Sequence, residues 1–468
     1  MRSHRLAAAM LAWLCMVTCA IAAQAPRPDI AITDVSIVDV EHGRTTPART
    51  VVVADGRIAT IAAPSGTRIP DGAQRIDGHG RFLIPGLVDM HVHLFNNSSH
   101  RPPNTWSFPL YIANGVTAVR EMAALPASLA TVNAWRASVD DGTLVAPRIV
   151  AAGVPVDGAS PEEAAQRVDI AADAGADFIK VFSDVPAANW RAILDASRRR
   201  GLPVVGHVPA GVSVLTAATA GQRTVEHLTQ VFEACTAIEQ RVLDERSDLA
   251  GDALTARNDE QEPRVLDAYD QQACDRIAAA LAKSHQVQVP TLALAWVQSK
   301  PADRAMARDP RWKYLRADER ARWLRIADET TAAQQTVAAR RWVVAQKIAT
   351  TLHRAGVPML AGTDSPMPGL YPGFALHDEL ERLVDAGLTP AEALRAATLA
   401  PAAFLGIADK TGSVEVGKRA DLVLLDADPL RDIRNTRRID AVVLDGRALT
   451  RAGLDALLAE ADKAAGAR

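Results

Sequence analysis

The stretch FLIPGLVDMHVHL, residues 82–94, is mostly apolar and ends with two histidines, His91 and His93, that are separated by one valine. Side chains alternate between faces along a β-strand, so His91 and His93 point to one face and Val92 to the other. Two imidazoles on one face can form half of a metal site. They can also be two polar residues where a strand runs out into solvent, so the rest of the sequence must decide.

Seven further short apolar runs follow this stretch, separated by segments with helical patterning. Continuous apolar strands that alternate with helices, as at 161–175 and 189–201, indicate parallel βα units. Eight such units predict an α/β fold, a (β/α)8 TIM barrel. The eight runs are FLIPGLVDMHVH, GVTAVRE, PRIVAAG, DFIKVF, PVVGHV, TVEHL, VQVPTLAL and PMLAGTD.

The two ends of the chain have a different pattern. Residues 30–40 and 50–62 alternate at period two, and Asp55-Gly56 is a hairpin signal. The same pattern returns over 412–430 and 440–450, where Asp445-Gly446 repeats the turn chemistry. The two ends therefore predict one small antiparallel β-sandwich domain, to which both contribute.

Two helical, charge-rich segments, at 232–284 and 299–352, are longer than a simple crossover connection between strands. We expect them to cover the top or side of the barrel, with a lid as one interpretation.

The first residues have the pattern of a secretory signal peptide. A basic head, MRSHR, precedes the apolar run LAAAMLAWLCMVTCAIA, and Ala20-Ile21-Ala22 is a cleavage site of the small-x-small type. This pattern predicts a secreted or periplasmic protein that does not associate with the membrane after cleavage. The alternative is an uncleaved anchor, but the run is short for a span of about 20 residues and lacks a stop-transfer flank.

These patterns divide the chain into five parts. They are a signal peptide over 1–22, β-sandwich segments over 23–84 and 412–450, a barrel over 85–411, and a C-terminal helix or tail over 451–468.

The composition is that of a globular protein, with 48% hydrophobic and 23% charged residues. The net charge of −3 and the lack of a basic excess argue against nucleic acid as a partner. Cys15 and Cys19 leave with the signal peptide, so Cys235 and Cys274 remain. These two form either one disulfide or two separate buried thiols.

Six side chains that can bind metals fall at the ends of the predicted barrel strands. Active sites of such barrels lie at the carboxyl ends of the strands. Any one of the six could be structural, but all six together indicate a site. They are His91 and His93 on strand one, Lys180 on strand four, His207 on strand five, His227 on strand six and Asp364 on strand eight.

Lys180 lies inside the apolar run DFIKVF, where an isolated buried charge costs several kcal/mol. Burial makes the ammonium lose its proton more easily, and the neutral amine is a nucleophile. Addition of carbon dioxide would give a carbamate, whose two oxygens can bridge two metal ions. The alternative is a lysine paired with a neighbouring acid such as Asp364.

The motifs PGLVDMHVHL, GVTAVRE, DFIKVF, GHVP, VEHL, AGTDSP and GSVEVGKRADLVLLDADPL together resemble the metal-dependent amidohydrolase superfamily. The resemblance covers residues 28–450. It is greatest to the imidazolonepropionase-like branch, which includes Xaa-Pro dipeptidase-like and ochratoxinase-like enzymes. It implies that His91 and His93 bind one ion, His207 and His227 bind a second, carboxylated Lys180 bridges them, and Asp364 binds the first ion and acts as general base.

The resemblance implies a binuclear hydrolase that cleaves the amide bond of a dipeptide or an N-acyl amino acid with a metal-bridged hydroxide. We expect two Zn²⁺ ions, although nitrogen and oxygen ligands also accept Mn²⁺ or Co²⁺. One alternative is a lactone or organophosphate hydrolase at the same site. An inactive binding protein is a second, and it is disfavoured because all six positions are filled.

Two further positions refine this expectation. Ala210 stands where deaminases of the superfamily typically have glutamate. This residue and Lys180 together disfavour a single-metal deaminase or an imidazolonepropionase proper. Arg120, at the end of strand two, either binds a substrate carboxylate or forms a salt bridge with Glu121. We expect a structural role for His377. The oligomeric state, including a homo-oligomer, stays open.

Overall fold

The computed structural model describes residues 29–95, 102–247, 249–301 and 304–466. The predicted signal peptide, 1–22, lies outside these residues, as do Cys15 and Cys19. Across the described ranges, no helix has both the length and the apolar character needed to cross a membrane.

Strands and helices alternate between residues 108 and 226, with consecutive strands before this part and mostly helices between residues 231 and 404. The strands are β1 (Ile30–Asp39), β2 (Arg44–Ala54), β3 (Arg57–Ala62), β4 (Gln74–Asp77), β5 (Phe82–Pro85), β6 (Leu87–Val92), β7 (Val116–Glu121), β8 (Arg148–Pro155), β9 (Phe178–Val181), β10 (Val204–Gly206), β11 (Thr224–Glu226), β12 (Val287–Val289), β13 (Leu422–Leu425), β14 (Ile439–Leu444) and β15 (Arg447–Thr450). The α-helices are α1 (Phe108–Ala113), α2 (Leu129–Asp140), α3 (Pro161–Asp173), α4 (Ala187–Arg200), α5 (Val214–Thr219), α6 (Val231–Ala234), α7 (Glu239–Asp244), α8 (Gly251–Asp267), α9 (Gln271–Ser284), α10 (Leu292–Gln298), α11 (Ala317–Glu329), α12 (Ala332–Arg354), α13 (Phe374–Asp385), α14 (Pro390–Ala396), α15 (Leu399–Phe404) and α16 (Arg451–Gly466).

The two ends of the chain pair in one sheet, in the order β15-β14-β13-β5-β1-β2-β3, with β4 beside β1. The predicted hairpin turns at Asp55-Gly56 and Asp445-Gly446 join β2 to β3 and β14 to β15. The sheet is mixed rather than antiparallel, because β4 and β5 both run parallel to β1. Its arrangement as a sandwich stays a prediction.

The stretch 82–94, whose apolar run predicts one strand, forms two strands instead. Gly86 divides it into β5, which pairs with β13 of the terminal sheet, and β6, which pairs with β7. A side chain at position 86 would collide with that of Thr117, and the Gly86 N–H donates to Asp421 O at 2.8 Å. The stretch therefore leads the chain from the terminal sheet into the central α/β part.

Parallel strands make up the central part, as predicted. Strands β6 to β10 form a parallel five-stranded sheet, and β11 and β12 form a parallel pair. Arg223 lies between the two sheets, with its N–H donating to Val204 O and its carbonyl accepting from Val287 N. Apolar strand residues and the surrounding helices share a large buried core.

The eighth predicted run, 358–364, is not a regular strand, although its backbone bonds to strands on both sides. Leu360 N donates to Gln288 O of β12, and Met90 N of β6 donates to Ala361 O, both at 2.9 Å. Asp364 has a left-handed φ of +64°, which ends any extended conformation. Closure of a complete eight-stranded barrel over 85–411 stays a prediction.

The two long segments are helical, as expected. Residues 232–284 contain most of α6 and helices α7 to α9, and 299–352 contain α11 and most of α12. Cys235 and Cys274 form a buried disulfide, which decides between the two alternatives left open above and ties the end of α6 to α9.

Candidate metal centre

Three of the predicted ligands meet at one point. The candidate ligand atoms of His91, His93 and Asp364 all lie within 4.8 Å of one another. Asp364 Oδ1 is 2.7 Å from His93 Nε2 and 3.2 Å from His91 Nε2. His91 lies in β6 and His93 directly follows the end of that strand, while Asp364 approaches them from a residue with a left-handed backbone.

The other two predicted histidines lie beside this group. The ring centroids of His207 and His227 are 5.0 Å apart, and those of His227 and His91 are 4.7 Å apart. Nδ1 of His207 is 2.9 Å from Ser183 Oγ, and Nδ1 of His227 is 2.8 Å from Thr291 Oγ1. Such contacts fix the ring orientation and leave Nε2 of each histidine for another partner.

Burial keeps both of these imidazoles neutral. It lowers the pKa of His227 to about 3, and, together with the positive charge of Lys180, it holds the pKa of His207 well below its usual range. A neutral imidazole has a lone pair with which it can bind a cation.

Lys180 lies among these side chains. It is fully buried, and its Nζ has no hydrogen-bond partner among the described residues. Burial lowers the pKa of Lys180 to about 8, although the nearby carboxylates of Glu226 and Asp364 oppose the shift. The amine is therefore easier to deprotonate than that of a solvent-exposed lysine.

A glycine makes room for the lysine. Gly206 has φ of +116°, and a Cβ there would lie 2.7 Å from Lys180 Cδ and would collide with the backbone of Val181. Position 206 therefore requires glycine, both for its backbone conformation and for the space that Lys180 occupies.

Sequence reasoning missed Glu226, a buried acid at the end of β11. Its Oε2 is 2.9 Å from His91 Nδ1, and its Oε1 accepts from Thr224 Oγ1 and, at 3.0 Å, from Arg120 Nη2. Burial alone would raise the pKa of Glu226, but the charge of Arg120 and the hydrogen bond with His91 outweigh burial, so the pKa lies below its usual range. The ionised carboxylate therefore orients His91. The sequence signal that could have identified Glu226 is its position as an acid inside the apolar run TVEHL.

Arg120 pairs with Glu226 and not with Glu121, which corrects the salt-bridge alternative. Its guanidinium is buried, and Nε donates to Met90 O at 2.6 Å. Its position favours a role in holding Glu226 over contact with a substrate. Glu121 instead accepts from the backbone N–H groups of Leu94 and Ala123, and burial raises its pKa to about 7.

His377 lies outside the cluster. Its ring nitrogens contact Asn114 O and Thr436 Oγ1, at 3.0 and 2.9 Å, which is the contact pattern of a structural residue.

The side chains present fit a divalent metal. His91 Nε2 and Lys180 Nζ are buried without a hydrogen-bond partner in the described chain, and an unpaired buried polar atom is costly. Imidazole nitrogens and a carboxylate oxygen are ligands that Zn²⁺ and similar ions accept. All six predicted residues therefore lie in one region, in which His91 and Lys180 are buried and the other four are partly exposed.

A cavity of about 550 Å³ opens beside this region. His207, His227 and Ser183 line one side of it, and residues of α8 and α12 line the other. Its volume lies in the usual range for small-molecule sites.

The Amidohydrolase family matches residues 82–449 of this sequence. The chain belongs to this family. The match covers all six predicted ligands.

Solved structures resemble the whole chain. Bottromycin amidohydrolase is 26% identical with a TM-score of 0.70, covering 94% of this chain and 91% of that one. A protein of Bifidobacterium longum assigned as a prolidase is 26% identical with a TM-score of 0.65, covering 93% and 100%.

Curated relatives match over shorter segments. Imidazolonepropionase of Shouchella clausii (strain KSM-K16) is 35% identical over 104 residues, which are 21% of this chain and 23% of that protein. The chain spans between 11% and 24% of the length of the curated relatives that it matches.

Proposed function

We propose that this amidohydrolase is an exported enzyme with two divalent metal ions that hydrolyses the amide bond of a dipeptide or an N-acyl amino acid. The observation that carries the proposal is the convergence of six side chains that can bind metals, two of them with buried, unpartnered nitrogens. The likeness to an amidohydrolase and to an assigned prolidase supports the substrate class.

In this proposal His91, His93 and Asp364 hold one ion and His207 and His227 hold the other. Lys180, carboxylated on Nζ, would help to hold them. Bound ions supply Lewis acidity and lower the pKa of water towards neutrality. We expect zinc, because the ligands are imidazole nitrogens and carboxylate-type oxygens.

Asp364 moves the proton. Burial would raise the pKa of its carboxyl group, but electrostatic interactions with His227 and His91 and the hydrogen bond with His93 hold that pKa well below the usual range. The ionised carboxylate can accept a proton from the attacking water and donate it to the leaving amide nitrogen. The C–N bond then breaks, and a carboxylic acid and an amine are released.

The remaining parts of the proposal concern the frame around the site. A closed (β/α)8 barrel over 85–411 would carry the cluster, because the segment 358–364 already bonds to β12 and β6. The two end segments, 23–84 and 412–450, would form the β-sandwich domain. Residues 1–22 would be removed on export.

The test is a panel of dipeptides and N-acyl amino acids, assayed with zinc-loaded protein lacking residues 1–22 and with the same protein after chelation. We expect amide cleavage that disappears on chelation and returns with zinc. Cleavage only of lactones or organophosphates would replace the proposed substrate class. Binding without any turnover would identify an inactive binding protein.

A further inference from the structure

Arg341 lies on the wall of the 550 Å³ cavity that His207 and His227 also line. Among the described residues that border this cavity, it is the one lysine or arginine. Side chains three or four positions apart share one face of a helix, so one face of α12 borders the cavity. That face consists of Gln334, Val337, Ala338, Arg341 and Ala345.

Two contacts hold the Arg341 guanidinium in place. Nη1 lies 2.6 Å from Glu262 Oε1 on α8, and the guanidinium carbon lies 4.3 Å from the centre of the Phe232 ring. Glu262 and Phe232 border the same cavity. The arginine is therefore oriented by one ion pair and one aromatic face, both within the cavity wall.

The rest of the guanidinium is available to a ligand. Arginine has five N–H donors, and Nε and Nη2 of Arg341 have no hydrogen-bond partner among the described residues. Its side chain is 32% exposed, so a molecule in the cavity can reach these donors. Arg120, by contrast, is buried against Glu226 and cannot present its donors in the same way.

We propose that Arg341 binds the free carboxylate of the substrate, with Glu262 as a positioning residue. The inference rests on the proposed function and names the group that selects the substrate. A planar guanidinium matches the two oxygens of a carboxylate, and such charged hydrogen bonds are the strong ones. The enzyme would therefore prefer a dipeptide with a free C-terminus over the same dipeptide with an amidated one.

The kinetic test compares L-leucyl-L-leucine with L-leucyl-L-leucinamide on the zinc-loaded enzyme. In Arg341→Gln we expect KM for the dipeptide to rise about 10- to 100-fold, the scale of a hydrogen bond to a charged group, with kcat little changed. KM for the amide should stay as in the wild type. Equal losses on both substrates, or no loss on either, would overturn the proposal.

Neighbouring variants provide matched controls. Arg340 is the adjacent residue on α12, but it pairs with Asp267 and does not border the cavity, so Arg340→Gln should leave both KM values unchanged. Arg341→Lys keeps the charge without the planar fork and should fall between wild type and Arg341→Gln. If Arg341→Gln does not fold, Arg341→Lys decides, and an unchanged preference for the free carboxylate then overturns the proposal.

A binding measurement separates this inference from the proposed function. Calorimetry of the zinc-loaded enzyme with L-leucine and with L-leucinamide requires no turnover. We expect tighter binding of L-leucine in the wild type and loss of that preference in Arg341→Gln. If the wild type cleaves no amide, the proposed function fails while this comparison still decides the role of Arg341. A preference that Arg341→Gln retains, or no binding of L-leucine, would contradict it.

Discussion

Asp364 lies 2.7 Å from His93 Nε2, and in the proposed reaction it carries the proton from water to the leaving amine. Asp364→Asn keeps the size of the side chain and one oxygen but cannot take up the proton. We expect the fold to be unchanged and kcat to drop by about 10²-fold or more, the scale of general acid–base catalysis. Circular dichroism and steady-state kinetics check this, and near-normal turnover would remove Asp364 from the mechanism.

Lys180 is the second residue whose chemistry can be tested alone. Lys180→Ala removes the anion that the proposed carbamate would place between two cations. We expect clearly fewer than two metal equivalents per chain and almost no activity, with partial recovery when a short carboxylic acid is added. Mass spectrometric metal analysis, with activity measured with and without the acid and bicarbonate, provides the check. Two tightly held ions and normal turnover would leave Lys180 as a structural lysine.

At the scale of elements, Glu379 on α13 contacts α10 and makes the stability of the fold depend on pH. Its Oε2 accepts a hydrogen bond of 2.6 Å from Ala293 N, at the start of α10. The residue just before this helix, Thr291, contacts His227. Burial raises the pKa of Glu379 from 4.5 to about 8. Between these values the folded protein holds a proton that the unfolded chain releases, so this group makes stability fall as pH rises.

Glu379→Gln removes this titration while keeping a similar shape. From pH 5 to pH 8 we expect the unfolding free energy of the variant to fall less steeply than that of the wild type, with a limiting difference of about 1.4 kcal/mol per pH unit. Urea denaturation at several pH values measures it. Parallel curves for the two proteins would show that Glu379 does not titrate in this window.

Periodicity predicted most elements because apolar runs of strand length recur between helical segments. Seven of the eight predicted runs contain parallel strands. The break at Gly86 and the irregular backbone at Asp364 depend on tertiary contacts, with Thr117 in the first case and with His91 and His93 in the second. A local pattern does not contain such contacts.

The same limit applies to the site. Strand ends identified the six clustered residues, because chemistry gathers at one edge of parallel strands. Ionic partners could not be found in this way: Arg120 reaches across to Glu226, 106 positions along the chain, instead of to its neighbour Glu121. Arg341, on a helix remote in sequence from every strand end, had no local signal at all.

For the whole molecule, export is a separate prediction. The basic head, apolar run and Ala20-Ile21-Ala22 predict a mature N-terminus near Ala23. N-terminal sequencing of protein from the producing cell tests this. An intact Met1 in a soluble cytoplasmic fraction would contradict it.

The most direct measurement for the molecule as a whole is anomalous X-ray diffraction from a zinc-loaded crystal at the zinc absorption edge. We expect two peaks in each chain, one beside His91, His93 and Asp364 and one beside His207 and His227, with electron density continuing beyond Lys180 Nζ. A single peak, or two peaks away from these residues, would contradict the binuclear site.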